Sequence, residues 1–426
     1  MLDIKLIRSN PEIVQKDLEK RKDTPKLKLL QETIKADKEW LKLKKEIDEL
    51  RHKRNNISKT ISETKKQGKD ASALLKEAAQ IPQLITEKEE HITLLENIIK
   101  KNLYDLPNLL DPSVPVGADD HDNVTVKTFG KKPALNFPLK SHVDLLIDLD
   151  IADIERAAKI SGARFWFLKN EGALLDLALQ HYAVDFMMKK KYNFILPPYM
   201  IHREPYEGVT SLGDFADVLY KIENEDLYLI ATSEHPLTSM YMNEVIEEKD
   251  LPLKMIGLSP CFRKEAGAHG KDTKGIFRGH QFHKIEQIII CQPEKSWKYH
   301  EELIKNGIEL FESLDLHFRQ VNICTGDIGI VAAKKYDLEV WMPVQQQFRE
   351  VVSCSNCTDY QARRLNLRYR TNEGNPFLHT LNSTAIATSR AIVAILENFQ
   401  TKDGTVKIPK VLWPYMNGIK EIKPKK

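Results

Sequence analysis

Apolar residues near the N-terminus recur in alternating steps of three and four. Trp40, Leu43, Ile47, Leu50, Ile57 and Ile61 form one seam, in which Arg54 takes one position. Leu74, Ala78, Ile81, Ile85, Ile92, Leu95 and Ile99 form a second, interrupted at Lys88. This spacing predicts two heptad helices. Between them lies KKQGKD, where Gly68 can turn the chain, so the pair reads as an antiparallel coiled-coil hairpin over about 27–101. Each helix would hold roughly 35–40 residues and extend about 50–60 Å. Pro82 falls inside the second helix and predicts a kink or an open hydrogen bond. Ahead of the hairpin, Asn10-Pro11-Glu12 reads as the opening of a short helix.

The periodicity stops near residue 105, where a proline- and aspartate-rich stretch (LPNLLDPSVPVGADDHDN) begins. Three regions follow from this: an all-α domain over 1–105, a linker over 106–130, and a larger domain over 131–426. In the last, helical patterns (His142 to Ile160, Ala173 to Lys191) mix irregularly with strand-like runs. That mixture predicts an α+β fold built on an antiparallel sheet flanked by helices, not a regular βαβ series. Neither GxGxxG after a strand nor GxxxxGK[ST] occurs, so the common dinucleotide and P-loop routes to nucleotide binding are missing.

Composition narrows the picture modestly. The chain has 426 residues with 64 basic and 61 acidic side chains, a net charge of +3. So small a surplus does not mark a nucleic-acid binder, and such a function would need local patches. Five cysteines suit a reducing compartment. No apolar run approaches a membrane span, so a cytoplasmic protein without membrane attachment is expected. Basic groups on the hairpin (Lys42, Lys44, Lys45, Arg51, Lys53, Arg54, Lys65, Lys66) could neutralise phosphates. Equally, they could form a solvated face balanced by Glu46, Asp48 and Glu49. From periodicity alone a spacer or dimerisation element is the plainer reading.

The densest candidate chemistry is PCFRKEAGAHGKDTKGIFRGHQFHKIE, from Pro260 to Glu286. It reads as two strands joined by a Gly- and Lys-rich loop. Arg278, Phe282 and Glu286 share parity on the second strand, as Arg263 and Glu265 do on the first, so each set projects from one face. Arginine forks suit phosphate oxygens and an aromatic plane suits a purine. Phe282 to Glu286 spans roughly 13 Å, about the length of an adenosine carrying an aminoacyl phosphate. The plain alternative is a pair of edge strands with solvated charges.

Three further stretches carry polar chemistry. In FLHTLNSTAIATSRAIVAILENFQ, Asn382, Ser383 and Thr384 are placed to cap a largely buried helix that carries Arg390. In ATSEHPLTSM, Thr232 and Glu234 stand between a strand and a helix, suited to an amino group or to capping. In QQQFREVVSCSNCTDYQARR, Glu350 and Ser353 could hold a divalent cation against phosphates, but their odd spacing requires a bulge. Zinc is not expected, because Cys354-x-x-Cys357 has no second pair and His280-x-x-His283 splays its rings on a strand.

These blocks together resemble the seryl-tRNA synthetases, a family of class II aminoacyl-tRNA synthetases, along essentially the whole chain. YNFILPPYM with Pro198 looks like motif 1, FRKEAG…RGHQFHKIE like motif 2, LNSTAIATSRAIVAILEN like motif 3, and TSE at 232–234 like the serine-recognition loop. The wording of SCSNCTDYQARR and LNSTAIATSR is similar to the archaeal and eukaryotic cytosolic branch. The resemblance implies a homodimer that joins L-serine to tRNA(Ser), gripped by the hairpin arm, with ATP and Mg2+. Charging of tRNA(Sec) is left open. By matching position, ATP would be met by Arg263, Lys264, Glu265, Arg278, Gly279, Phe282, Glu350, Val351, Val352, Ser353 and Arg390. Serine would be held by Thr232, Ser233, Glu234, Glu286, Asn382 and Thr384. Glu350 and Ser353 would hold Mg2+, and Arg263, Arg278, Glu286 and Arg390 would carry the catalysis.

Overall fold

A computed structural model describes residues 1–211, 218–265 and 274–425. The chain divides into two compact units, Met1–Pro107 and Asn108–Lys426. In the first, helices α1 (Ile4–Ser9) and α2 (Pro11–Lys20) precede two long antiparallel helices, α3 (Thr24–Lys66) and α4 (Ser72–Asp105). Asp3 and Asp23 cap the first and third of these through their side chains. Ile47, Ile57, Ile81 and Ile85 form the buried seam of the hairpin, flanked by Leu50, Ile61, Leu74, Ala78 and Ile92. Gly68, at φ 68°, makes the turn. Lys88, the break in the apolar pattern, pairs with Glu46 at 2.6 Å. α4 runs through Pro82 without interruption, and the proline carbonyl accepts from Thr86 Oγ1 at 3.1 Å.

The second unit is built on an eight-stranded sheet. Its strands are β1 (Val124–Phe129), β2 (Asn193–Ile195), β3 (Leu253–Phe262), β4 (Gln281–Cys291), β5 (Phe318–Asn322), β6 (Lys334–Met342), β7 (Gln347–Asn356) and β8 (His379–Ala387). They are ordered β1-β5-β6-β7-β8-β4-β3-β2, and every pairing is antiparallel except β2 with β3. One face carries Ile285, Ile289, Leu338, Val340, Val352, Cys354 and Leu381 into the main core. The helices α5 (Asn170–Lys189), α6 (Ser296–Ser313) and α7 (Thr388–Asn398) supply much of the rest of that core. The α+β fold and the N-terminal helical hairpin thus match the reading of the sequence.

Several local expectations need correction. The stretch 106–130 is not a linker, because from Asn108 onward it belongs to the second unit. Asn108 Nδ2 donates to the carbonyls of Val331 and Cys357, and β1 pairs with β5. Proline and aspartate density marked irregular backbone there, not loose backbone. The pattern from His142 to Ile160 splits into the helices His142–Asp148 and Ile154–Ser161. Each has its own cap, a Ser141–Asp144 capping box and the Asp153 side chain. Asn382, Ser383 and Thr384 do not cap a helix but lie on β8, and α7 begins only at Thr388. Arg390 therefore sits in the first turn of its helix. Finally, β3 ends at Phe262 and β4 starts at Gln281, so Arg263, Glu265 and Arg278 lie beyond the regular strands. Most of the Gly- and Lys-rich loop joining them (266–273) lies outside the described residues.

Candidate active site

The sheet face opposite the main core is polar over much of its length, and strand register explains how. Glu286 lies opposite Gly257 of β3 and Thr384 of β8. Asn382 lies opposite Ser355 of β7, and Ser353 opposite Asp337 of β6. Two irregularities bring distant positions onto this face. Leu338 pairs with Val352 while Glu339 pairs with Glu350, so Val351 is an extra residue between them. This bulge supplies what the odd spacing of Glu350 and Ser353 demanded. A second shift, between Thr384 and Ile386, leaves Ala385 extra on β8.

The face lines a cavity of about 610 Å³. It gathers Thr232, Glu234, Arg263, Phe282, Lys284, Glu286, Glu350, Val351, Ser353, Asn382, Thr384 and Arg390. The cavity divides by chemistry. At one end the Arg263 guanidinium lies 5.4 Å from the Phe282 ring centroid, and its Nε donates to the Ala231 carbonyl at 3.3 Å. Arg390 Nη1 donates to the Glu350 backbone carbonyl at 2.9 Å and stands 3.1 Å from its carboxylate. Burial works against ionisation of Glu350, but Arg390, Lys335 and Arg263 prevail and hold its carboxyl below the usual range. This end can bind an aromatic base and several phosphate oxygens.

The other end is acidic and enclosed. Glu234 Oε1 accepts from Gln361 Nε2 and from Asn382 Nδ2, both at 3.0 Å. Burial, helped by the neighbouring charge of Glu286, pushes the Glu234 carboxyl up to about 7. Glu286 is also raised by burial, against the pull of Lys284 and Arg263. Its carboxylate pairs with the Lys284 ammonium, and Thr384 Oγ1 donates to it at 3.5 Å. Two carboxylates flanked by hydroxyl and amide groups suit a small ligand that brings an ammonium and a hydroxyl.

Beside Glu350, Asp337 pairs with Lys335 at 3.4 Å, and its Oδ1 is buried without a hydrogen-bond partner. The oxygens of Glu350 and Ser353, with Asp337 behind them, fit a hard divalent cation by donor type and charge.

Not every expected residue reaches the cavity. Ser233 is fully buried, and its hydroxyl donates to the Gly257 carbonyl at 3.0 Å, because the chain turns there between strand and helix. Val352 faces the core, on the opposite side of the bulge from Glu350. Lys264 is exposed, with Nζ 5.7 Å from the Tyr220 ring centroid. Glu265, at φ 49°, stands 3.8 Å from Arg278 Nη1, a pair outside the cavity lining. Gly279 packs against Trp166, and an added Cβ would meet that ring at 2.1 Å. Cys354 and Cys357 do not share an environment: Cys354 lies in the core, while Cys357 Sγ lies 3.6 Å from Asn382 Nδ2. His280 engages the Arg263 carbonyl and His283 engages Asp176, so these rings are also apart.

Residues not singled out in the sequence also line or support the site. Lys284 has the parity of Phe282 and Glu286, and that signal was available. Gln361 is 127 positions from Glu234 in the chain, and no local pattern joins them.

The fold and site define a class II aminoacyl-tRNA synthetase: residues 219–399 match the tRNA synthetase class II core domain (G, H, P, S and T). Residues 1–110 match the seryl-tRNA synthetase N-terminal domain. The chain belongs to the seryl-tRNA synthetase family. It is 54% identical to a serine–tRNA ligase of Methanocella arvoryzae, covering 98% of this chain and 99% of the relative. The crystal structure of seryl-tRNA synthetase from Pyrococcus horikoshii complexed with ATP superposes with a TM-score of 0.98 at 53% identity, covering 100% of both chains. The cytoplasmic serine–tRNA ligase of Naegleria fowleri in complex with AMP gives a TM-score of 0.92 at 35% identity, covering 100% of this chain and 99% of that one.

Proposed function

We propose that the chain activates L-serine with ATP to seryl-adenylate and pyrophosphate, then transfers the seryl group to tRNA(Ser). The observation that carries this reading is one cavity in which Phe282 and Arg263 stand at one end, and Glu234, Glu286 and Thr384 at the other. Adenine stacks on Phe282, Arg263 meets the α-phosphate and Arg390 the outer phosphates. Arg278 and Glu265 serve the outer phosphates and the adenine amino group by moving inward from their pair beside the cavity. Glu350 and Ser353 hold Mg2+, which supplies charge neutralisation on the phosphates when bound.

Serine enters with its ammonium toward Glu234 and Thr232 and its hydroxyl toward Glu286 and Thr384. Its carboxylate then lies beside the α-phosphorus, and one carboxylate oxygen attacks it as pyrophosphate departs. No side chain needs to move a proton, so positioning and charge neutralisation do the work. A ligand without the hydroxyl leaves the Glu286–Thr384 end unpaired, which disfavours alanine and glycine. Threonine is excluded by volume.

The hairpin grips tRNA in this reading. Its Arg54, Lys65 and Lys66 are exposed and pair with no carboxylate among the described residues. A second copy covers the apolar side chains exposed on α5 and just after it, among them Leu177 at 60%, Leu196 at 64% and Met200 at 45%. Among the described residues no helix is long and apolar enough to cross a membrane.

ATP–pyrophosphate exchange across the twenty amino acids, without tRNA, tests the first step. Exchange with serine alone is expected. Exchange with threonine or alanine instead would overturn the reading of the acidic end, and no exchange from folded protein would leave a binding protein without chemistry.

A further inference from the structure

The roles given above leave Lys284, a charged group lining the cavity, without a task. Lys284 lies midway between Phe282 and Glu286 on the same face of β4, roughly 7 Å along the strand from either. Its side chain is only 9% exposed, and that remnant opens to the cavity. Burying an ammonium is costly unless a partner or a ligand compensates it. Glu286 is one partner, through an ion pair.

The surroundings suggest more than a structural pair. Across the sheet, Lys284 faces Ser259 on β3 and Ala387 on β8. Both are small, so neither directly opposite side chain reaches over the ammonium. A sealed structural pair would be roofed by apolar groups, but this one has the cavity over it. With adenine on Phe282 and the serine hydroxyl on Glu286, the two reacting groups must lie between those residues. These are the serine carboxylate and the α-phosphate, both anionic, and Lys284 is directly beneath them.

The charge balance agrees. Before substrate, Lys284 and Arg263 face Glu234 and Glu286 inside one enclosure. Serine brings one ammonium and one carboxylate. Its ammonium compensates Glu234 while its hydroxyl takes up hydrogen bonding to Glu286, which frees Lys284 for the new anion.

We propose that Lys284 is a further catalytic residue of serine activation: its ammonium turns from Glu286 to the serine carboxylate and stays on the acyl phosphate as it forms. In that step a carboxylate oxygen bonds to the α-phosphorus, the bond from phosphorus to the pyrophosphate oxygen breaks, and the electron pair leaves with pyrophosphate. Lys284 remains an ammonium throughout and transfers no proton. The inference rests on the reading of this cavity as a serine-activating centre.

The test compares L-serine with L-serinamide, which keeps the ammonium and hydroxyl but lacks the carboxylate charge. Binding of each is measured by calorimetry to the full-length protein and to Lys284→Met, with pyrophosphate exchange alongside. Lys284→Met should weaken serine at least about tenfold, leave serinamide within about twofold, and lower kcat for exchange about 10²-fold. Equal weakening of both ligands would overturn the proposal, since Lys284 would then act only by placing Glu286. Unchanged binding of both would overturn it as well. If Lys284→Met fails to fold, Lys284→Arg keeps the charge but moves it. The ratio of serine to serinamide affinity should then shift at least about threefold, and an unchanged ratio would count against the proposal. Absence of serine exchange in the wild-type protein would instead refute the parent reading, so the two failures are distinguishable.

Discussion

Asn382 on β8 donates to the Glu234 carboxylate at 3.0 Å, joining two residues 148 positions apart in sequence. Gln361 donates to the same oxygen, also at 3.0 Å. Lys284, Gln361 and Arg263 favour the ionised carboxylate, yet burial and Glu286 outweigh them. Glu234 is therefore poised between protonation states near neutrality, and an arriving ammonium decides the balance.

Serine binding should thus release protons below pH 7. At pH 6.5 the free protein holds much of Glu234 protonated, and the ligand's ammonium favours the anion. Calorimetry in two buffers of different ionisation enthalpy should detect release of up to about one proton at pH 6.5 and little at pH 8.5, and affinity should weaken toward tenfold per pH unit on the acid side. Folding raises this carboxyl from 4.5 to about 7, so its burden on stability grows as pH rises through that window. Glu234→Gln should accordingly melt higher than wild type at pH 8 while losing serine affinity.

The bulge at Val351 ties Glu350 and Ser353 to one function. Glu350→Gln keeps the shape and removes the charge. It should lower kcat/KM for MgATP about 10²-fold and raise the Mg2+ concentration needed for half-maximal exchange, with serine affinity little changed. Equal loss in the affinities for serine and ATP would point to a general defect of the site.

Gly279 has no room for a side chain, since a Cβ there would meet Trp166 at 2.1 Å and the Arg164 carbonyl at 2.9 Å. Gly279→Ala should cost about 1–3 kcal/mol of stability through displacement of the tryptophan. Its melting temperature and ATP affinity should fall together.

For the arm, the triple reversal Arg54→Glu, Lys65→Glu, Lys66→Glu should spare pyrophosphate exchange and reduce tRNA charging. The slope of log affinity for tRNA against log salt should flatten by roughly two to three. Unchanged charging would remove these residues from the tRNA contact.

Much of this was legible in the sequence where regular periodicity applies. The heptads of α3 and α4 and the shared parity of Phe282 and Glu286 survive intact because helices and strands keep their period. What was not legible depends on departures from that period. The bulges at Val351 and Ala385 decide which side chains reach the cavity, and nothing in either residue marks one. Ser233 was expected to touch serine with its neighbours, but a turn sends its hydroxyl to Gly257 instead. Asn382 to Thr384 resembled a helix cap because Asn, Ser and Thr favour caps, yet they belong to a strand. Lys284 could have been found by the parity that found Glu286.

Attachment of serine to tRNA is the reaction on which every residue role above depends. Purified protein, unfractionated tRNA, ATP, Mg2+ and each labelled amino acid in turn test it most directly. Acid-precipitable label is expected from serine, dependent on ATP and absent with Arg263→Ala. Label from another amino acid in place of serine, or ATP-independent label, would contradict it.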